Sequence, residues 1–178
     1  MSASAESGAV RTATPDDAAG IAEVHVASWR TAYAGIVPRS ILDGLSVEQR
    51  ADFWRGVAAD PGEIGVWVVE RAGAVVGFAS GGPARDDDLP GGAGEVQAIY
   101  VHPDAWGVGF GRALFDRAVR DLRERRLDPL VLWVLTRNRR GRAFYERQGW
   151  KPDGVARELD FSGSAIEEIR YRAPFETG

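Results

Sequence analysis

Apolar residues recur along the chain at two different spacings, and each change of spacing marks a new element. Near the start the helical spacing holds, with Ala22, Val26, Trp29 and Tyr33 on one face. Thr14-Pro15-Asp16-Asp17 precedes them with a capping threonine, a proline for the first helical position and acids for the first turn. A helix is therefore predicted to about Ala34, with Gly35 as its C-terminal cap. Ser46 and Gln49 are spaced as a capping box, so a second helix is predicted from Ser46 to the Asp60-Pro61-Gly62 stop. The spacing then shortens to two. Strands are predicted over 65–71 and 74–80 around a tight turn at Ala72-Gly73. The stretch GGPARDDDLPGGAG, residues 81–94, reads as a long polar loop, and a strand follows over 95–101.

The segment from 112 to about 126 is amphipathic. Leu114, Phe115, Ala118, Val119 and Leu122 face one way; Asp116, Arg117, Arg120, Asp121 and Arg123 face the other. LVLWVL, residues 130–135, is unbroken apolar sequence, as in a strand covered on both faces. A short helix over 139–148, ended by Gly149, precedes two strands near 155–161 and 166–172, where Ile169 and Tyr171 alternate with Glu168, Arg170 and Arg172. A right-handed crossover through 95–135 makes its two strands parallel, while the flanking hairpins are antiparallel. The expected fold is a mixed α/β sheet with helices on both faces, in one domain over 10–178 behind an N-terminal tail at 1–9.

Composition narrows the chemistry. The 178 residues suffice for one domain with a real core, and 44% hydrophobic with 27% charged residues is ordinary for a globular chain. No run approaches the length of a membrane span, and MSASAESGAV lacks the basic and apolar regions of a signal peptide. A cytoplasmic protein without membrane partners is the simplest reading. There is no cysteine, which removes disulfides, thiolate metal sites and a cysteine nucleophile. His25 and His102 are the two histidines, without metal-site spacing, so no metal is expected. A net charge of −4 argues against nucleic acid as a partner. His102 stands before Pro103 and is read as positional.

VHPDAWGVGFGRAL, residues 101–114, sets glycines at 107, 109 and 111 directly before a helix. A P-loop needs Gly-Lys-Ser/Thr, but Gly111 is followed by Arg112-Ala113; the dinucleotide fingerprint needs a third glycine where Arg112 stands. Uncrowded amides at a helix N-terminus still suit a diphosphate. The glycines alone suit a bare strand-to-helix turn equally well. Two longer patterns extend the picture: V-x-P-x-x-W-G-x-G-x-G-x-x-L from Val101 to Leu114, and N-x-x-x-x-x-F-Y-E-x-x-G-W from Asn138 to Trp150. Together they resemble the GNAT superfamily of N-acetyltransferases, and the order of elements across roughly residues 10–173 is similar to that family's. The resemblance implies the GNAT fold: a mixed, mostly antiparallel sheet of about six to seven strands with a parallel strand-helix-strand core. Trp106 departs from the pattern, since many members have Gln or Arg there. It removes one polar contact from a loop that acts mainly through its backbone.

The resemblance also implies acetyl-CoA as cosubstrate. Its pantetheine amides would pair with the backbone of Ile99 and Val101, around Tyr100, in the manner of an added strand. Its diphosphate would lie on the loop of Trp106, Gly107, Val108, Gly109, Phe110, Gly111 and Arg112. The amides of Gly107, Gly109, Gly111 and Arg112 would hold it. Asn138 would bond the pantetheine arm, and Tyr145 would protonate the departing thiolate or donate a hydrogen bond to it. Asn138 also suits a plain helix N-cap, and Tyr145 a half-buried packing residue. Arg139, Arg140 and Arg142 lie toward the same end and suit phosphates or an exposed helix start.

Glu95 opens the strand beside the cosubstrate, where several relatives place a catalytic glutamate. It is the candidate base for an amine acceptor, or else a carboxylate in solvent. His25, Trp29 and Tyr33 form a stripe that suits either an acceptor pocket or packed core. Asp86-Asp87-Asp88 suits steering of a cationic substrate or a solvated charge run. The expected activity is direct transfer, in a ternary complex, to a primary amine of a small molecule or protein. An acetyl-cysteine intermediate is impossible without cysteine. A non-catalytic acyl-CoA sensor or partner-binding module on the same fold is the alternative, and Tyr145 with Asn138 favours the enzyme. An unrelated nucleotide-binding α/β protein is weakened by the failed P-loop and dinucleotide matches. Homodimers are frequent among similar proteins.

Overall fold

A computed structural model describes residues 8–174; residues 1–7 of the expected tail and 175–178 lie outside the described residues. After β1 (Arg11–Thr12), a single 3₁₀ turn at Pro15–Asp17 leads into α1 (Ala18–Ala32), α2 (Arg39–Asp43) and α3 (Val47–Ala59). The hairpin β2 (Gly65–Arg71) and β3 (Ala74–Pro83) follows, then β4 (Gly94–Val101), α4 (Phe110–Glu124), β5 (Leu130–Leu135) and α5 (Arg139–Arg147). β6 (Lys151–Phe161) and β7 (Ser164–Arg172) close the chain. All seven strands form one sheet in the order β1-β2-β3-β4-β5-β7-β6. Among the described residues only β4 and β5 run parallel, as the α4 crossover requires.

Alternation along β2 divides the core. Val66 and Val68 pack with Ile21, Val24 and Trp54 of α1 and α3. Trp67 and Val69 point the other way, to Phe110, Leu114 and Ala118 of α4. The caps work as the spacing predicts: Thr14 N–H donates to Asp17 Oδ2 at 2.7 Å, and Gln49 N–H donates to Ser46 Oγ at 3.2 Å. Two short elements and several boundaries differ from the expectation. β1 and α2 are too short to leave a periodic signal. β3 runs on to Pro83, taking the first glycines of the expected loop, and β6 starts at Lys151, reaching through Pro152 and Gly154 by way of a register shift.

The largest departure is on β7. Its alternation looks like one buried and one solvated face, yet Glu168 and Arg170 are buried alongside Tyr171. Arg170 pairs with Asp88 at 2.7 Å, Asp153 at 2.8 Å and Asp86 at 3.8 Å. Trp133 Nε1 also donates to Asp86 Oδ2 at 3.1 Å. The Asp86–Asp88 run is thus no solvated patch: two of its members fasten the loop after β3 over the sheet.

Candidate active site

β4 and β5 pair only over Gly94–Val96 and Leu130–Leu132. Beyond that point the two strands part, and a cleft of about 810 Å³ opens between them. A bulge explains the parting. Ser80 pairs with Ala98 and Gly81 with Val96, so Gln97 is an extra residue on β4, and a bulged strand bends and twists more strongly. Glycine is required opposite it, because a Cβ on Gly81 would lie 2.8 Å from the Glu95 carbonyl oxygen.

The bend leaves one edge of β4 without a strand partner. His102 N–H donates to Val76 O at 2.8 Å, so by antiparallel alternation Tyr100 directs its backbone groups to β3. Ile99 and Val101 then direct theirs into the cleft. The Val101 carbonyl is already occupied: Ser28 Oγ donates to it at 2.9 Å and Trp106 Nε1 at 2.7 Å. A carbonyl has two lone pairs, so Val101 keeps only its N–H for a ligand, whereas Ile99 keeps both groups.

Gly107 and Gly109 adopt φ of +84° and +95°, which only glycine takes without strain, and a Cβ on either would meet nothing within 4 Å. Space and curvature there serve something other than packing. Gly109 is the N-cap of α4, so the first-turn amides of the helix, including those of Gly111 and Arg112, open onto the cleft. α4 begins two residues before the predicted start because Phe110 is needed in the core, where it is 2% exposed. Trp106 carries the Arg140 guanidinium 3.7 Å from its ring centroid, joining the loop after β4 to the start of α5. That stacking gives Arg140 a reason to stand at a helix N-terminus. Arg142 serves the fold instead, donating to Tyr171 Oη at 3.0 Å and Thr136 O at 3.2 Å.

From α5, Asn138 and Tyr145 enter the same cleft. The Asn138 Oδ1 accepts from Gly141 N–H at 3.0 Å, so the residue caps α5 and keeps its NH₂ as a donor for other uses. Tyr145 packs against Phe115, Phe144 and Tyr171, and burial raises its phenol above the ordinary range. A phenol holds its proton at neutral pH even without that shift.

A strand edge, a glycine cradle and a protonated phenol in one cleft agree with the kinship found by comparison. The acetyltransferase (GNAT) family model matches residues 24–150. The uncharacterized N-acetyltransferase YuaI of Bacillus subtilis (strain 168) is 34% identical over 162 residues, 90% of this chain and 89% of its own. The chain belongs to the GNAT family of acetyltransferases. Among solved structures, ribosomal-protein-alanine N-acetyltransferase from Brucella melitensis superposes with a TM-score of 0.69 at 25% identity, over 93% of this chain and 99% of its own. The yncA protein from Salmonella typhimurium, solved with its cofactor acetyl-CoA, superposes with a TM-score of 0.69 at 20% identity, over 95% and 94%.

Glu95, Ile99, Tyr100, Val101, Trp106, Gly107, Gly109, Phe110, Gly111, Arg112, Asn138 and Tyr145 all line the cleft. Val108 is 54% exposed and lies outside the lining. The aromatic stripe splits: Trp29 and Tyr33 line the cleft, but His25 does not. His25 is 6% exposed, stacks on Tyr100 with centroids 5.4 Å apart, and accepts from Trp54 Nε1 at 3.2 Å. Burial, with a smaller contribution from Arg50, lowers its pKa to about 4. A four-residue step drifts around the helix, so one stripe serves both core and cavity.

Glu95 is no solvated strand end. It is 3% exposed, and Arg85 grips both oxygens, Nη2 to Oε1 at 3.0 Å and Nε to Oε2 at 3.3 Å. A second acid was missed. Glu168 lines the cleft from β7, its Oε1 accepting from Arg157 Nε at 2.5 Å. No short-range signal marks this pair, because Arg157 faces Glu168 only through the register of the β6–β7 hairpin. Tyr33 and Tyr100 meet at 3.4 Å between their hydroxyls, and burial raises both phenols. Among the described residues no group of His, Asp and Glu is arranged to hold a metal ion.

Proposed function

We propose that this N-acetyltransferase binds acetyl-CoA along the free edge of β4 and passes the acetyl group directly to a primary amine. The acceptor belongs to a small molecule or protein, and both substrates occupy the enzyme together. The residues present fit the cosubstrate. Ile99 and the Val101 N–H offer strand-like hydrogen bonds, Asn138 an amide donor, and the Gly107–Gly109 cradle with the start of α4 a site for diphosphate. The yncA structure, solved with acetyl-CoA, has the same fold.

Acetyl-CoA supplies the acyl group as an activated thioester. The amine nitrogen forms the new bond to the acyl carbon as the carbon–sulfur bond breaks. Glu95, anionic in its pair with Arg85, receives the amine proton directly or through water. Tyr145 Oη gives its proton to the leaving sulfur, so amide and thiol leave neutral, and solvent restores both residues. The observation that carries this reading is the placement of the Tyr145 phenol in the same cleft as the glycine cradle and the free edge of β4.

The test is Tyr145→Phe, assayed by thiol release from acetyl-CoA with a panel of amines. We expect kcat to fall by roughly 10²–10⁴ with acetyl-CoA affinity kept. Unchanged kcat removes Tyr145 from the chemistry, and an isolable acetyl-enzyme contradicts direct transfer. Tight acetyl-CoA binding without turnover on any amine would instead favour the sensor.

A further inference from the structure

The acceptor end of the cleft carries charge in two layers. The acids lie at the floor: the side chains of Glu95 and Glu168 are 4% and 9% exposed. Their partners form the rim: those of Arg85 and Arg157 are 68% and 43% exposed. All four line the cleft. We propose that the acceptor is a zwitterion of the apolar amino-acid type, with its ammonium leading to the carboxylate floor and its carboxylate held by the arginine rim. This names the substrate class for the acetyl-transfer reading and rests on it.

Both arginines retain donors. Arg85 spends one N–H each of Nε and Nη2 on Glu95, leaving three of its five N–H donors, two of them on Nη1. Arg157 spends Nε on Glu168, holds Nη1 3.5 Å from Asp86 Oδ1, and sits over Trp133 with its Cζ 3.9 Å from the ring centroid. The ring contact and the two acids hold the guanidinium in place and leave Nη2 to meet a carboxylate, the anion that arginine pairs with best. A plain cationic amine meets like charge at this rim, whereas a zwitterion meets opposite charge at both depths. A lysine side chain on a protein, with neutral amides around it, gives the rim nothing to hold. The walls select the remainder of the molecule: Trp29, Tyr33, Leu159 and Phe161 converge there as partly buried apolar side chains. Small separation between each acid and its arginine means the two ligand charges are a few bonds apart, as in an α-amino acid.

The experiment uses the full chain with acetyl-CoA and four matched pairs: L-leucine with isoamylamine, L-methionine with 3-(methylthio)propylamine, L-phenylalanine with phenethylamine, and L-tryptophan with tryptamine. Thiol release should give at least one amino acid a kcat/KM about tenfold or more above that of its amine partner. Arg157→Gln should raise KM for that amino acid about tenfold and bring the ratio within the pair toward one. Arg157→Lys, which keeps the charge without the fork, should recover part of the ratio. Acetyl-CoA affinity by calorimetry reports whether each variant is folded. If Arg157→Gln fails that control, Arg85→Gln at the more exposed position supplies the same comparison. The proposal is overturned if the amines equal or exceed their amino acids, if the ratio survives loss of both arginines, or if acetyl-CoA binds and no amino acid is accepted. Absence of acetyl-CoA binding by the unaltered protein would sink the acetyl-transfer reading itself.

Discussion

The two ends of the cleft are made of different material. At the cosubstrate end the working groups are mainly backbone, and most come from the unbroken run between Ile99 and Arg112. At the acceptor end they are side chains from α1, the loop after β3, β4, β6 and β7, set in place by ion pairs. A backbone cradle is specified by where glycine is allowed, so it is local and can serve any acyl-CoA. A wall of side chains is specified by which distant residues the sheet brings together. It can change partner by partner without disturbing the cradle. Substitutions at either end test that independence.

Arg170→Met strikes the acceptor end from behind. Arg170 is 2% exposed and holds Asp153 and Asp88, so its loss leaves the nearly buried Asp153 only the longer contact to Arg172 at 3.7 Å. Breaking a buried pair costs about 3–5 kcal/mol, which urea denaturation would register. The loop fastened through Asp88 carries Arg85, so KM for the acceptor should rise while acetyl-CoA affinity holds. An equal loss at both substrates would mean the two ends are not independent.

This contrast also explains what the sequence disclosed. The glycine run and the Asn138–Tyr145 segment are contiguous, and their roles depend on local geometry, so both motifs could be read directly. The parallel pairing of β4 and β5 was accessible because a single helix joins them and forces them parallel. Glu168 and Arg170 escaped because alternation along β7 assigns charged residues to water. Tertiary pairing overrides that rule once each charge finds a partner. Asp86 and Asp88 escaped for the matching reason: their arginine stands some eighty residues away, with separations of 84 and 82 positions in the chain. The Gln97 bulge, which opens the cleft, left only the glycines at 81 and 82 as a trace.

His25 lies beneath the acceptor wall and supplies a pH test. Its pKa falls from 6.5 to about 4 on folding, chiefly through burial. The unfolded chain therefore takes up a proton below pH 6.5 that the folded chain accepts only near pH 4. Its contribution is complete above pH 6.5 and is lost progressively as pH falls to 4, by about 3 kcal/mol. His25→Phe removes that dependence. The stability difference between the two proteins should move in favour of the variant by that amount across the window, and parallel profiles would show that His25 titrates normally in the fold.

Gly109→Val strikes the other end. At φ +95° a β-branched residue is strained by about 1–3 kcal/mol, although its Cβ would meet no neighbour within 4 Å. Acetyl-CoA affinity should weaken by about five- to a hundredfold as the cradle changes shape. The KM for the acceptor should stay within about twofold of its original value. Unchanged affinity would mean the loop is not the cradle.

The smallest effect tests the one exception to the division, a side chain working within the backbone end. Trp106 and Ser28 both donate to the Val101 carbonyl. Trp106→Phe keeps a ring for Arg140 but leaves the carbonyl one partner, and Ser28→Ala leaves it the other. A carbonyl with one good hydrogen bond is satisfied, so each single change should cost about 1 kcal/mol or less. With both donors gone, a polar oxygen at the head of the cleft has no protein partner, and the double variant should cost more than the sum of the singles. Simple additivity would mean that the carbonyl finds water as readily as it finds Trp106. In that case the tryptophan is there for Arg140, and not for the strand edge it now seals.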